Sequence, residues 1–315
     1  MTDAEPHIIT PIVALVGPTA IGKTALSLQL ARDFNCEIVS VDSMQVYRHM
    51  DIGTAKIRPE EMQGIPHHLI DIVNPDEEYD AARFVSDATR AIRIIGEKGK
   101  LPLLTGGTGL YLKALTEGLF TVLPENKEVR KELQERVESE GSSKLHEELA
   151  DCDPESASRI HPNDSMRIIR GLEIFTCSGI PWSTHLRRQK EEEGRGAFDA
   201  LQIALTCNRE RLYERINHRS RLMLEEGLEA EVENLLNLGY GRDLHPMNAI
   251  GYRHMLQYLD KVCSYDEMLE LLQRDTRRYA KRQYTWFRGI RGIEWFEVAD
   301  TESINKRIDD WLNIN

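Results

Sequence analysis

One eight-residue run restricts the fold of this chain more than any other: Gly-Pro-Thr-Ala-Ile-Gly-Lys-Thr, from Gly17 to Thr24. The apolar stretch from Ile12 to Val16 before it reads as a strand, and the amphipathic stretch from Ala25 to Phe34 after it reads as a helix. Strand, glycine loop and helix in that order build a phosphate cradle. Gly17 and Gly22 permit a tight turn that brings backbone N–H groups against phosphate oxygens, and the positive end of the helix faces the same point. The whole run, including Pro18, Thr19, Ala20 and Ile21, forms the set that binds a phosphate or diphosphate. Lys23 supplies a mobile positive charge, and the Thr24 hydroxyl is placed to ligate a magnesium ion that bridges those oxygens. The ligand is a phosphate or diphosphate; whether it is a nucleotide is left open by the loop itself.

The chain has 315 residues, enough for one large domain or two modest ones, and 41% hydrophobic with 29% charged residues is the composition of a globular protein. No apolar stretch is long enough to span a bilayer, and the start, with Asp3 and Glu5, lacks the basic and apolar segments of a secretion signal, so a cytoplasmic protein without a membrane partner is expected. Five scattered cysteines without a Cys-x-x-Cys pair suit reduced thiols, with neither a disulfide framework nor a zinc site. A net charge of −12 argues against nucleic acid only if the basic residues are dispersed, because counterion release depends on local clusters.

Along the chain, the short β-branched strand from Glu37 to Val41 delivers Asp42 to its C-terminal end, the edge where ligands sit in a parallel α/β sheet. A carboxylate there can take a proton or ligate magnesium through water; it can equally cap the next turn. The polar segment from Gln45 to Ile57 suits a binding loop, and Leu69 to Val73 reads as a strand after two adjacent histidines that cannot share one metal. A helix is predicted from Asp80 to Glu97 and a buried strand from Leu101 to Leu104, which runs into Thr-Gly-Gly-Thr-Gly at 105–109 and a further helix. Three strands thus aim Thr19, Asp42 and Thr108 at one rim. The fold class is α/β, a P-loop NTPase-like parallel sheet flanked by helices.

From about 120 to 200 the composition turns charged and helical, which predicts an all-helical domain inserted between residues 1–119 and 201–315 of the core. Helices are expected from Glu125 to Glu140, Ser142 to Ala150 and Asn163 to Cys177, the last with an Asp164 cap, and the run Arg187, Arg188 and Lys190 reads as a flexible loop. After a returning strand, Leu201 to Thr206, a long helical stretch carries Arg211, Arg215 and Arg219 on one face and is broken near Gly227. Those arginines alone are compatible with a solvated helix. The helix from Tyr265 to Arg288 interleaves Arg274, Arg277, Arg278, Lys281, Arg282 and Arg288 with Tyr279, Tyr284, Trp286 and Phe287. Such a mixture can hold a phosphate backbone and stack bases, or line a core with one aromatic face.

The phosphate loop, Asp42-Ser43-Met44-Gln45-Val46-Tyr47, Met50 to Lys56, Gly106 to Tyr111 and Asn163 through Arg170 together resemble the bacterial tRNA dimethylallyltransferases. So do Arg219 with Met223, Gly227 and Glu231, then Gly251-Tyr252 and Tyr279 to Gln283 with Trp286, in order over nearly the full chain. The resemblance implies that the loop cradles the diphosphate of dimethylallyl diphosphate and that the allyl group goes to the exocyclic amine of the adenosine beside the anticodon. It also implies Asp42 as the base that takes a proton from that amine, with Thr19 and Arg219 stabilising the leaving diphosphate.

By the same resemblance the tRNA anticodon stem-loop is held by several segments. These are Asp42, Ser43, Met44 and Gln45; Thr108; Arg130; Met166, Arg167, Ile168, Ile169 and Arg170; Met247, Asn248, Ala249, Ile250, Gly251 and Tyr252; and Arg278, Lys281, Arg282, Gln283, Trp286 and Arg288. The inserted helices act as a clamp on the tRNA, and the protein is expected to be a monomer. Gly171 replaces a usual alanine, at a cost of about 1 kcal/mol of helix propensity. Competing readings are prenyl transfer to free adenine nucleotide, a P-loop small-molecule kinase, and a noncatalytic P-loop RNA-binding module.

Overall fold

The computed structural model describes residues 10–118, 126–192 and 198–314. The chain divides into two compact units, one formed by the residues up to Thr116 and from Ala197 onward, the other by Glu117–Gly196.

The larger unit begins with β1 (Thr10–Val16), α1 (Lys23–Asp33), β2 (Cys36–Val41), β3 (His67–His68), α2 (Ala81–Glu97), β4 (Leu101–Gly106) and α3 (Gly109–Glu117). The smaller unit holds α4 (Lys127–Glu140), α5 (Ser142–Cys152), α6 (Pro154–Arg159), α7 (Ser165–Ser178) and α8 (Trp182–Glu192). The larger unit then resumes with β5 (Phe198–Thr206), α9 (Arg209–Glu225), α10 (Leu228–Asn237), α11 (Tyr252–Leu259), α12 (Tyr265–Arg288), β6 (Glu294–Glu297) and α13 (Thr301–Leu312). Among the described residues no helix is long and apolar enough to cross a membrane.

All six strands pair in parallel, in the order β3-β2-β4-β1-β5-β6. A parallel sheet needs both faces covered, and the period-2 alternation of its strands supplies two apolar faces. Ile12, Ala14 and Val16 of β1 join one core with Phe84, Ile92 and Ile95 of α2 and with α10 and α11. Val13 and Leu15 join the other, with Leu26 and Leu30 of α1, Leu212 and Ile216 of α9, and Ile304 and Ile308 of α13. The inserted unit closes a core of its own from Leu133, Leu145, Leu149, Ala157, Ile160, Ile168, Ile169 and Leu172.

Two expectations are corrected by the structure. Leu69 to Val73 is not a strand: Leu69 and Asp71 adopt φ of 64° and 55°, which breaks the extended chain, and the paired residues are His67 and His68 one step earlier. Arg187 and Arg188 lie on α8 instead of a loop, because that helix is anchored at its start by the buried Ser183 and His185, with Ser183 N–H donating to Asp153 Oδ2 at 2.8 Å. Gly171 stands in α7 where that helix packs against α5. An added Cβ would meet Leu149 Cδ1 at 2.8 Å, so the glycine admits the close packing of α5.

Candidate active site

The sheet register brings the site together. Val16 of β1 and Val41 of β2 both stand level with Gly106 of β4, so Gly17, Asp42 and Gly107 leave the sheet at one height on its C-terminal edge. Gly106 has no room for a side chain, since a Cβ would lie 2.0 Å from Val41 O. The Thr108 hydroxyl accepts the Ser43 N–H at 3.0 Å, tying the second glycine turn to the end of β2.

In the phosphate loop Gly17 has φ 148° and Gly22 φ 111°, and Ala20 is held at φ 63°. Gly22 caps α1, and the N–H groups of Gly22, Lys23 and Thr24 have no acceptor among the described residues, which leaves three donors facing outward at the positive helix end. Thr19 N–H is already committed: it donates to Gln283 Oε1 at 2.9 Å, while Gln283 Nε2 donates to Gly107 O at 2.9 Å. Gln283 is thus a buried clasp between the two glycine turns and does not face solvent.

The Lys23 ammonium donates to Gly17 O at 3.0 Å and Pro18 O at 2.9 Å, and Arg219 donates to the Thr19 hydroxyl. Burial first, then the neighbouring Arg219, draws the Lys23 ammonium down to about 7 against the opposing pull of Asp42. Burial likewise draws Arg219 down to about 10, with Asp42 opposing and Arg215 adding to the effect. Two cations crowded together on neutral oxygens suit a site completed by an anion. Arg215, one turn before Arg219 on α9, adds a third; its Nη2 would lie 3.2 Å from a Cβ on Gly22. Sequence spacing set Arg215 on the face of Arg219, and the packing of α9 brings this exposed side chain to the loop, where it lines the cavity.

Asp42 Oδ1 accepts the N–H groups of Met44 at 2.8 Å and Gln45 at 3.3 Å, so the carboxylate does cap the following turn. Oδ2 has no hydrogen bond among the described residues, and the group lines a cavity of 580 Å³ with Thr19, Lys23, Thr24, Arg215 and Arg219. Capping therefore engages one oxygen of the side chain, Oδ1, and leaves the other without a partner among the described residues. Tyr279, one turn before Gln283 on α12, has its hydroxyl pushed up by burial and by the Asp42 charge; the sequence marked it only as one aromatic of a basic helix and as part of the resemblance, with no role of its own.

The loop that lines the cavity with Asp51, Ile52, Thr54 and Ala55 is held by Glu231 of α10. Glu231 accepts the N–H groups of Asp51, Ile52 and Gly53 at 2.9, 2.7 and 3.0 Å and the Tyr252 hydroxyl at 2.7 Å. Buried Lys56 holds the same loop from beneath, on Tyr47 O, Asp51 and Asp71. Thr24 is exposed, and its hydroxyl has no partner among the described residues; no group of three His, Cys, Asp or Glu side chains is placed there to cage a metal. One hydroxyl and one carboxylate fit magnesium held chiefly by diphosphate and water.

The other predicted RNA-contact residues divide by exposure. Arg278, Lys281, Arg282, Trp286 and Arg288 of α12 and Asn248 are exposed, as are Met166 and Arg167 at the start of α7; Ser43, Met44, Gln45, Ala249 and Ile250 are half-buried. Trp286 packs its indole over Gly109, where a Cβ would lie 2.1 Å from Cδ1, and keeps an open side. Met247, Gly251, Tyr252, Ile168 and Ile169 are buried and shape their segments instead of presenting side chains. Within the inserted unit Arg130 and Arg170 each donate to buried Glu173 at 2.8 Å.

The chain matches the IPP transferase family over residues 45–290 and the isopentenyl transferase family over residues 10–74. A tRNA dimethylallyltransferase of Desulfotalea psychrophila is 54% identical over 302 residues, which is 96% of each chain. One of Syntrophobacter fumaroxidans is 49% identical over 95% of this chain and 86% of that protein. The crystal structure of a tRNA isopentenylpyrophosphate transferase from Bacillus halodurans is similar with a TM-score of 0.70 and 43% identity, covering 96% of each chain. That of a eukaryotic dimethylallyltransferase acting on tRNA gives 0.77 at 30% identity, covering 96% of this chain and 77% of that one. With a phosphate cradle and a carboxylate on one rim of a parallel sheet, and relatives of this closeness along almost its whole length, the chain belongs to the IPP transferase family of prenyl-transferring enzymes.

Proposed function

We propose that this enzyme transfers the dimethylallyl group of dimethylallyl diphosphate to the exocyclic amine of the adenosine beside the anticodon of tRNA, and that it acts as a monomer. The observation that carries the proposal is the single cavity in which Asp42 faces Lys23 and the Thr19–Arg219 pair. The amine nitrogen attacks the first carbon of the allyl group, and the bond from that carbon to the bridging diphosphate oxygen breaks. Asp42 Oδ2 takes the proton that the amine loses, while Oδ1 keeps the carboxylate fixed through its two backbone bonds. The leaving oxygen draws its electron pair toward the Thr19 hydroxyl and Arg219, and the three free N–H groups with Lys23 hold the rest of the diphosphate. Magnesium on Thr24 would neutralise part of the charge on the phosphate oxygens.

An adenine stacked in its loop cannot enter such a cavity, so it must be turned out, at a cost of a few kcal/mol. The exposed basic and aromatic residues of α12, and Met166 with Arg167 in the inserted helices, supply phosphate and base contacts suited to a single-stranded loop. Asp42→Ala tests the reading. Prenyl transfer should fall by ~10²–10⁴-fold while tRNA binding survives. Unchanged turnover would remove Asp42 from the chemistry, and phosphoryl transfer from ATP without prenyl transfer would favour a kinase.

A further inference from the structure

Outside the cavity, three arginines on two helices converge on one carboxylate. Arg253 of α11 donates to Asp275 Oδ2 at 2.7 Å, Arg274 to Oδ1 at 2.9 Å, and Arg278 Nη1 stands 3.6 Å from Oδ1. The Asp275 side chain is 15% exposed, whereas those of Arg253, Arg274 and Arg278 are 41%, 45% and 63% exposed, so the anion lies inside and the guanidiniums outside. Three cations against one anion leave a positive surplus on the surface of a protein whose net charge is −12. The buried ring of His254 accepts the Gly251 N–H on Nδ1 at 3.3 Å, which places its proton on Nε2, 3.2 Å from Asp275 Oδ2. The turn that ends at Gly251, where φ is 98°, is thereby fastened to α12.

We propose that Arg253, Arg274 and Arg278 form a phosphodiester-binding site for the RNA backbone, with Asp275 as its positioning residue and His254 as the link to the neighbouring turn. The inference rests on tRNA being the acceptor substrate. Arg274, Arg278, Lys281 and Arg288 fall at helical spacing on one face of α12, a basic track on the order of 20 Å long at ~1.5 Å per residue. A track of that length suits a chain of phosphates, not one free anion. Phosphate contacts of this kind set register and orientation without reading sequence.

The proposal opposes what charge alone predicts. Removing a negative group from a basic surface should tighten RNA binding, whereas removing the group that gathers three guanidiniums should weaken it. Asp275→Asn, measured in the full chain with tRNA over a range of salt, should raise Kd and KM for tRNA about tenfold, with the slope of log K against log salt falling by about one to two. The rate at saturating tRNA should stay within about twofold, since the reacting atoms are not touched. Arg274→Gln, a change at an exposed position, should weaken binding a few-fold and add little in the Asp275→Asn background, because both act through one site. A Kd for Asp275→Asn equal to or below that of the unaltered protein, or full additivity of the two changes, overturns the proposal. If the unaltered protein prenylates tRNA in the same assay, such a result defeats the arginine site alone. If it prenylates AMP and not tRNA, the proposed function fails and the site falls with it.

Discussion

The glycine-loop site, which we propose as a diphosphate cradle, and the arginine clusters handle positive charge in opposite ways. At the cradle, Lys23 leans on two backbone carbonyls and Arg219 on a hydroxyl, all neutral, and both cations have their pKa drawn down. In the inserted unit Arg130 and Arg170 lean on Glu173, and on α11 and α12 Arg253, Arg274 and Arg278 lean on Asp275. A cation on a neutral oxygen keeps its charge for an incoming anion and is destabilised until that anion arrives. A guanidinium on a carboxylate is fixed in direction before any ligand comes. The first arrangement suits charge that develops during a reaction, the second a surface that must hold a preformed polyanion in register.

The largest effect is expected for Arg219→Gln. Losing a donor to the leaving group should lower the single-turnover rate of prenyl transfer by ~10²–10³-fold, with tRNA affinity within about twofold. A loss of tRNA binding without a loss of rate would put Arg219 with the surface arginines. Glu173→Gln probes the other arrangement. Burial alone would push the Glu173 carboxyl up, but the bonds from Arg170, Arg130 and the Asn126 N–H outweigh it and hold it below the usual carboxylate range. The folded protein therefore binds that proton less readily than the unfolded chain. The stabilisation is fully present above the ordinary carboxylate value, declines below it, and is lost as pH falls through the lower value of the folded protein. Thermal melts should show the variant less stable by about 1–3 kcal/mol at neutral pH, with the gap narrowing in acid; a gap independent of pH would contradict the ion-pair account. The smallest effect is expected for Lys281→Gln with Arg282→Gln, both exposed and remote from any buried carboxylate bond. Binding of tRNA should weaken and the salt slope drop by about 1.4–1.8 for two lost phosphate contacts, while binding of dimethylallyl diphosphate stays unchanged. An unaltered slope would remove both residues from the RNA path.

The cradle was legible in the sequence because its determinants are local. Gly17, Gly22, Lys23 and Thr24 lie within eight residues, and the turns after β1, β2 and β4 follow directly from three apolar runs. Gln283 as a clasp was not legible, since its partners Thr19 and Gly107 lie 264 and 176 positions away and a glutamine in a basic helix gives no sign of burial. Glu231 was visible as part of a resemblance, yet its work on the backbone of Asp51–Gly53 depends on how α10 packs. The two misread segments fail for one reason: local composition was overridden by context. Leu69 to Val73 is β-branched enough for a strand but bends at two left-handed residues, and the charged run at 187–188 is carried on a helix anchored by Ser183 and His185.

The reaction itself is tested most plainly by mass analysis of the products after tRNA and AMP are incubated together with the purified protein and dimethylallyl diphosphate. An adenosine heavier by one dimethylallyl group is expected beside the anticodon, formed ~10²–10⁴-fold more slowly when Asp42→Ala replaces the unaltered protein. Unmodified tRNA, with the allyl group found on AMP or left on its diphosphate, would contradict that expectation.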